Sequence, residues 1–169
     1  KKNKKPSSAE LVVIAPGGVF GPPLGDDISG ESLTILSKML SGKIPFVPKT
    51  AFPMVDVRDV AQLHVKALKN KTAAGKRFIV SGSDPVSFVD AATILIEAGY
   101  KGLSTKIAPA WLLNIMALFD REAKGMLGIL GMRLTADNSN TRKTFNWVPI
   151  PFEKSVIQAA NAIKIIQTK

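Results

Sequence analysis

The chain has no cysteine, one histidine and one tyrosine among its 169 residues. Without cysteine there can be no disulfide framework, no thiolate zinc site and no thiol nucleophile. A reducing compartment fits that absence, and the expected location is the cytoplasm. His64 stands without a histidine or cysteine partner, so it reads as a helix-face or packing residue rather than a base or a metal ligand, and no metal is expected. Long apolar runs are also missing. The longest, Ile107 to Phe119, is broken by Pro109 and Asn114 and falls short of the ~20 residues that span a bilayer. The basic start leads into Pro6, Ser7 and Ser8 rather than an apolar segment, so it does not read as a secretory signal. No membrane partner is expected.

Acidic residues are scarce, 13 against 23 basic ones, for a formal charge of +10. Such a surface would attract phosphate-rich partners. The distribution argues otherwise: Lys1, Lys2, Lys4 and Lys5 crowd one end, the other cations are scattered, and no aromatics interleave with a basic run as a single-strand binder requires. No nucleic acid is expected. With 46% hydrophobic and 21% charged residues, the chain reads as one folded domain.

What is present is an alternation of short apolar runs and helical periodicities. Leu11 to Ala15 is too short for a helix and ends at Pro16, Gly17 and Gly18, which predicts a strand buried on both faces. Val19 to Gly30 holds five glycines and prolines beyond that point, which predicts a long loop at the strand's carboxyl end, where open α/β sheets bind ligands. Leu33, Leu36 and Leu40 predict a helix over 29–41, stopped by Gly42. Met54 to Val57 is a short strand, followed by a helix to about Leu68 that Asp59, ahead of Asp56, is expected to cap. Lys76 to Ser81 is a further buried strand. Helices are predicted over 87–98, from Pro109 to about Lys124, and over 138–145, with a short strand at 105–108. A closing helix over 152–166 places Val156, Ala159, Ala160 and Ile163 on one face. Strand, helix and strand in succession imply a parallel sheet.

The segment Pro16-Gly17-Gly18-Val19 can do one of two things. Bare glycines after a buried strand let a flat ligand approach the backbone, or they simply make a tight turn. Phe52, Val55 and Val57 read as core, Trp147 as an anchor for the closing helix, and Asp56 with Arg58 as a local ion pair ahead of any phosphate contact. Gly125, Gly128 and Gly131 fit the spacing of a dinucleotide fingerprint, but they follow the polar end of a helix rather than a strand, so a helix end or substrate-lobe turn is expected. Met116, Met126 and Met132 read as core or lobe lining.

Four segments in order carry a resemblance. Ala15 to Leu24 resembles the "N-P-x-x-V-x-G-P" element of extended short-chain dehydrogenases, and Phe52 to Ala61 resembles their "F-x-x-V-D-V-R-D-V-A" junction. Lys76 to Gly82 is similar to the "G-x-R-Y-I-x-x-G" strand, and Asn140 to Pro149 to the "S-x-K-x-x-x-x-L-G-W-x-P" segment. The nearest subgroup is the dihydroflavonol reductase-like or aldehyde reductase-like one, within the epimerase/dehydratase superfamily.

The resemblance implies an α/β fold: the C-terminal part of a Rossmann-type parallel sheet plus a small, mostly helical substrate-binding lobe. Residues 10–27 and 51–83 would belong to the sheet, 28–50 and 84–151 to the lobe, and 152–169 to the closing helix, with 1–9 a loop remnant. It further implies NADP or NAD as cofactor, held at Pro16, Gly17, Gly18 and Val19, and a small carbonyl or alcohol substrate in a pocket drawn from Phe20, Leu24 and Ser29. The family's Tyr-x-x-x-Lys pair has no counterpart: the only tyrosine is Tyr100, and Ser104 stands four residues later. No catalytic residue is therefore assigned. The expectation is a fragment of a reductase, with an epimerase, dehydratase or steroid-type dehydrogenase fragment and a non-catalytic binding module as the alternatives.

Overall fold

The computed structural model describes residues 9–116, 118, 125 and 127–168. Strand β1 (Val13–Pro16) pairs in parallel with β4 (Arg77–Val80), from Val13↔Arg77 to Pro16↔Val80. Gly17 interrupts the strand. The chain resumes as β2 (Gly18–Phe20), which pairs in parallel with β3 (Ala51–Asp56) instead of β4. The first half of β3 pairs antiparallel with β5 (Pro85–Ser87), so Pro53, which has no N–H to offer, stands where β3 passes from one partner to the other. Two small sheets, β1–β4 and β2–β3–β5, thus meet at Gly17.

The helices are α1 (Glu31–Leu40), α2 (Val57–Lys69), α3 (Phe88–Glu97), α4 (Ala110–Met116), α5 (Ser139–Phe145) and α6 (Phe152–Gln167). Their ends follow local chemistry. Gly42, at φ +70°, closes α1 in the left-handed region. At the head of α3, the Ser87 hydroxyl accepts from the Asp90 N–H while the Asp90 carboxylate accepts from the Ser87 N–H. Asn146 turns left-handed at φ 44°, which lets the Trp147 N–H return to the Arg142 carbonyl and end α5.

Three clusters make up the core. Under the β1–β4 pair, Phe78, Val80, Leu63, Phe145, Trp147 and Val55 are buried together, with the Phe78 and Phe145 rings 4.7 Å apart edge to face. Leu36, Leu95, Val156, Ala159, Ala160 and Ile163 join α1, α3 and α6. Met39, Val47, Phe88 and Ala92 form a smaller third group. The predicted inner face of the closing helix is the buried one, whereas Trp147, expected to anchor that helix, is buried instead in the cluster under β1–β4.

Several expectations are corrected. The run Leu11–Ala15 is not buried on both faces: Leu11 is 72% exposed and Val12 to Ala15 only half-buried. Helices α2 and α5 cover the face that carries Val12, Ile14, Phe78 and Val80, which leaves Ile79 on the other face 40% exposed. Val19 and Phe20 belong to β2 rather than to a loop, because β3 offers them a parallel partner. The cap of α2 is Asp56, not Asp59, since the helix begins at Val57. The strand predicted over 105–108 is reduced to a single bridge, Ile107 to Val47. Helix α4 is described as far as Met116, and residues 119–124 of the predicted helix lie outside the described residues, as does Met126. No described helix is long and apolar enough to cross a membrane.

Replacing Phe78 by Ala empties the centre of the first cluster, and the expected cost is about 3–5 kcal/mol, read as a loss of urea-unfolding free energy. Because the exposed face contributes less, Ile79→Ala should cost a clearly smaller amount. Equal losses would contradict the one-sided burial of this strand pair.

Candidate functional site

Pro16 ends β1 and is exposed, while Gly17, Gly18 and Val19 are half-buried. What crowds the glycines is the protein itself. A β-carbon at Gly17 would lie 2.3 Å from the Pro53 carbonyl oxygen, and one at Gly18 would lie 2.7 Å from Met54 Sδ and 2.9 Å from Phe52 Cε2. At Gly17 the obstruction is backbone, so the approach of β3 demands glycine there, whereas at Gly18 it is the tips of two side chains. The Gly17 N–H still donates to the Val80 carbonyl at 3.0 Å, so the backbone leaves β4 only after that bond. Pro16 is thus open to solvent, while β3 takes the other side of Gly17 and Gly18.

The three residues predicted to shape a substrate pocket are not brought together. Phe20 is buried, with its ring edge-on to Phe152 at 5.6 Å. Leu24 stands free in the loop beyond Gly21. Ser29 donates its N–H to Asp27 Oδ1 at 2.8 Å and borders a shallow depression of about 450 Å³ with Ile28, Thr34 and Lys38. The Ser29 side-chain and backbone hydrogen bonds hold the Asp27 carboxyl below the usual carboxylate range. Gly21, at φ +134°, brings this loop against Val57 and Asp56.

Asp56 lies at the end of β3 and is 1% exposed. Its Oδ1 accepts from the Arg58 N–H and from Arg58 Nε, both at 2.8 Å, and its Oδ2 accepts from the Arg58 guanidinium at 2.6 Å. Burial pushes the Asp56 carboxyl up. The Arg58 side-chain and backbone hydrogen bonds, with the Ser155 hydroxyl and the guanidinium charge, outweigh burial and hold it below the usual range. The local ion pair is thus what the structure contains. Asp59, also buried, accepts from the Ile150 N–H at 2.8 Å and ties the approach to α6 back to α2.

A groove of about 360 Å³ lies beyond the carboxyl end of β3, lined by Met54, Val55, Asp84, Arg142, Pro149 and Phe152 among others. Sequence reasoning did not find it, because its walls come from four separated segments, although the motifs at Phe52 to Ala61, Lys76 to Gly82 and Asn140 to Pro149 each contribute to it. Two further residues escaped notice. Asn138 Nδ2 donates to the Ser81 carbonyl and Thr141 Oγ1 to the Ile79 carbonyl, both at 2.6 Å, which pins α5 to β4.

The remaining sequence candidates sit apart. His64 is exposed on α2 with Nδ1 2.8 Å from the Val60 carbonyl oxygen, and no group that could hold a metal is found among the described residues. Gly131 takes φ +76° and donates to the Lys49 carbonyl at 2.7 Å, following a helical turn and not a strand.

No protein-family model matches the chain. At the level of sequence it is similar to a cinnamoyl-CoA reductase of Medicago truncatula, 33% identical over 76 residues, which are 45% of this chain and 23% of that protein. It is also similar to an NADPH-dependent methylglyoxal reductase of Saccharomyces cerevisiae, 29% identical over 86 residues, 48% of this chain and 25% of that one. Among solved structures, the yeast methylglyoxal/isovaleraldehyde reductase complexed with NADPH superposes with a TM-score of 0.70 at 21% identity, over 95% of this chain and 48% of that chain. UDP-glucuronic acid 4-epimerase from Bacillus cereus, in complex with UDP-glucuronic acid and NAD, gives 0.64 at 16%, over 93% and 46%. The matched region therefore spans about a quarter of these curated relatives and about half of the solved structures. These matches bear out the resemblance to the extended short-chain dehydrogenases and the α/β fold with parallel strand pairing that it implies.

Two measurements check the geometry. Gly17→Ala should destabilise the chain by an amount at the upper end of the ~1–3 kcal/mol typical of overpacking, since the obstructing atom is a backbone carbonyl; an unchanged unfolding midpoint would remove the packing role. For Asp56, a folded pKa below the unfolded value of about 3.9 means that its contribution to stability is present above that value and is lost as pH falls through the folded one. Asp56→Asn should therefore flatten the decline of Tm between neutral and acid pH, leaving a residual slope from Asp27 and Asp137, whose carboxyls are also lowered by bonds from neighbouring serines.

Proposed function

We propose that this chain, which carries the extended short-chain dehydrogenase fold, is the C-terminal half of an NAD(P)-dependent oxidoreductase that reduces a small carbonyl compound or oxidises a secondary alcohol. The observation that carries the reading is the position of Pro16 to Val19, at the carboxyl end of a parallel strand and at the point where the chain leaves one sheet for another. Open α/β sheets bind ligands in the crevice outside the carboxyl ends of their strands. The sequence relatives named as reductases favour this chemistry over the sugar-nucleotide epimerases and dehydratases that share the fold, and over a non-catalytic binding module.

In this reading, Pro16, Gly17, Gly18 and Val19 wall one side of the nicotinamide ring, which when bound supplies or accepts the hydride. Phe20, its ring edge-on to Phe152, anchors the end of that wall in the core. Residues 10–27 and 51–83 serve the sheet, 28–50 and 84–151 the substrate lobe, and 152–169 close the domain. The general acid, a tyrosine with a neighbouring lysine, and the glycine-rich phosphate loop would come from a half outside this chain. The absence of cysteine suits a cytoplasmic setting.

The test mixes or fuses this chain with the N-terminal half of the yeast methylglyoxal reductase and follows NADPH consumption with methylglyoxal. Turnover is expected only from the combination, with Pro16→Asp, at the exposed end of β1, raising the KM for NADPH while the unfolding midpoint holds. If the combination consumes no NADPH, or if this chain alone does so, the assignment is wrong.

A further inference from the structure

We infer that α4 and the segments beside it form a face that lies on the surface of a bilayer rich in anionic lipid. Within α4, Leu113 is buried while Trp111 is 64% and Ile115 50% exposed. Leu118, whose N–H donates to the Ile115 carbonyl, is 77% exposed. The spacing 111, 115 and 118 puts these three side chains on one side of the turn. Ile107, just ahead of the helix, is exposed as well and bridges Val47. Four residues along that segment, Ala51 bridges Arg133, which stands between the exposed Met132 and Leu134. Single exposed apolar side chains are ordinary, whereas six of them flanking one short segment make a surface that needs a partner.

Charge identifies the occupant. Lys43, Lys49, Lys106 and Arg133 are all exposed in these same segments. Lys106 precedes Ile107, the Lys49 carbonyl accepts from the Gly131 N–H, and Arg133 lies beside Ala51. No acid occurs in 43–51, 103–116, 118 or 127–136, and Asp120 and Glu122, with Arg121 and Lys124, lie outside the described residues. Cations that look scattered along the sequence are thus gathered by the fold around an apolar stripe. A two-fold contact with a second copy would set these cations against one another. An anionic headgroup layer pairs with them and takes up indole and aliphatic side chains at its boundary, where tryptophan is favoured. The expectation of no membrane partner rested on the lack of a spanning run, which a helix lying in the interface does not need.

The test is flotation of the unmodified chain with vesicles of phosphatidylcholine, alone or with about a third phosphatidylserine. Partitioning should be at least about tenfold stronger on the anionic vesicles and should weaken as salt is raised. Trp147 is buried, so a blue shift of tryptophan emission on binding reports Trp111 and should vanish in Trp111→Phe. Trp111→Ser with Ile115→Ser, and separately Lys106→Glu with Arg133→Glu, should each lower partitioning at least about tenfold. All four side chains are exposed, so the unfolding midpoint should hold in both variants. Equal partitioning on the two kinds of vesicle, none on either, or full binding by either double variant overturns the inference. Self-association that the serine variant abolishes, without vesicle binding, assigns the face to a second copy. Displacement from vesicles by the N-terminal half of the yeast methylglyoxal reductase assigns it to that half, and either result also overturns the inference.

Discussion

Everything else in this structure is arranged around the contact between the backbone at Gly17–Gly18 and strand β3. Where a β-carbon at Gly17 would stand, the Pro53 carbonyl oxygen is only 2.3 Å away. That closeness lets the chain end its pairing with β4 at Pro16 and begin pairing with β3 at Gly18, two residues later. The two sheets are thereby coupled through backbone as well as through the buried side chains of Val55, Phe78 and Val80. Side-chain packing tolerates small adjustments, whereas a backbone approach of this kind admits only glycine.

The placement of β3 then sets the order of the layers. Its last residue, Asp56, is also the cap of α2, so the direction of the helix follows from the end of the strand. Three residues on, Asp59 receives the Ile150 N–H, and the closing helix starts two residues after Ile150. The motif Val55 to Asp59 is thus a junction in which one carboxylate starts a helix and the other positions the next. Arg58 neutralises the first of them. These roles are structural, and they leave the proposed site to the strand tip.

Much of the architecture was legible because helices announce themselves by period. Val156, Ala159, Ala160 and Ile163 recur as a buried face must, and all four are fully buried. Ser87 ahead of Asp90 is a local signal that needs no tertiary context, and it became the cap. The strands were less legible. An apolar run states that its residues can be buried, not that neighbours are present to bury them, which is why Leu11 to Ala15 looked interior and lies half open. The candidate site was legible as a segment, Pro16 to Val19, but its depth and surroundings were not. The groove near Arg142 draws on segments around Met54, Asp84, Arg142 and Phe152, and no local pattern links residues so far apart.

By itself the sequence determined which stretches are helical, which faces of them are apolar, and where the chain must turn, because propensity, periodicity and glycine or proline punctuation act over a few residues. Only the tertiary structure decided that β2 would choose β3 over β4, that Asp56 and not Asp59 would cap α2, and that Phe20 would face Phe152 instead of a pocket. Each of those outcomes depends on which distant segment arrives alongside, and the free energy of that choice lies in contacts between residues that the linear chain keeps apart.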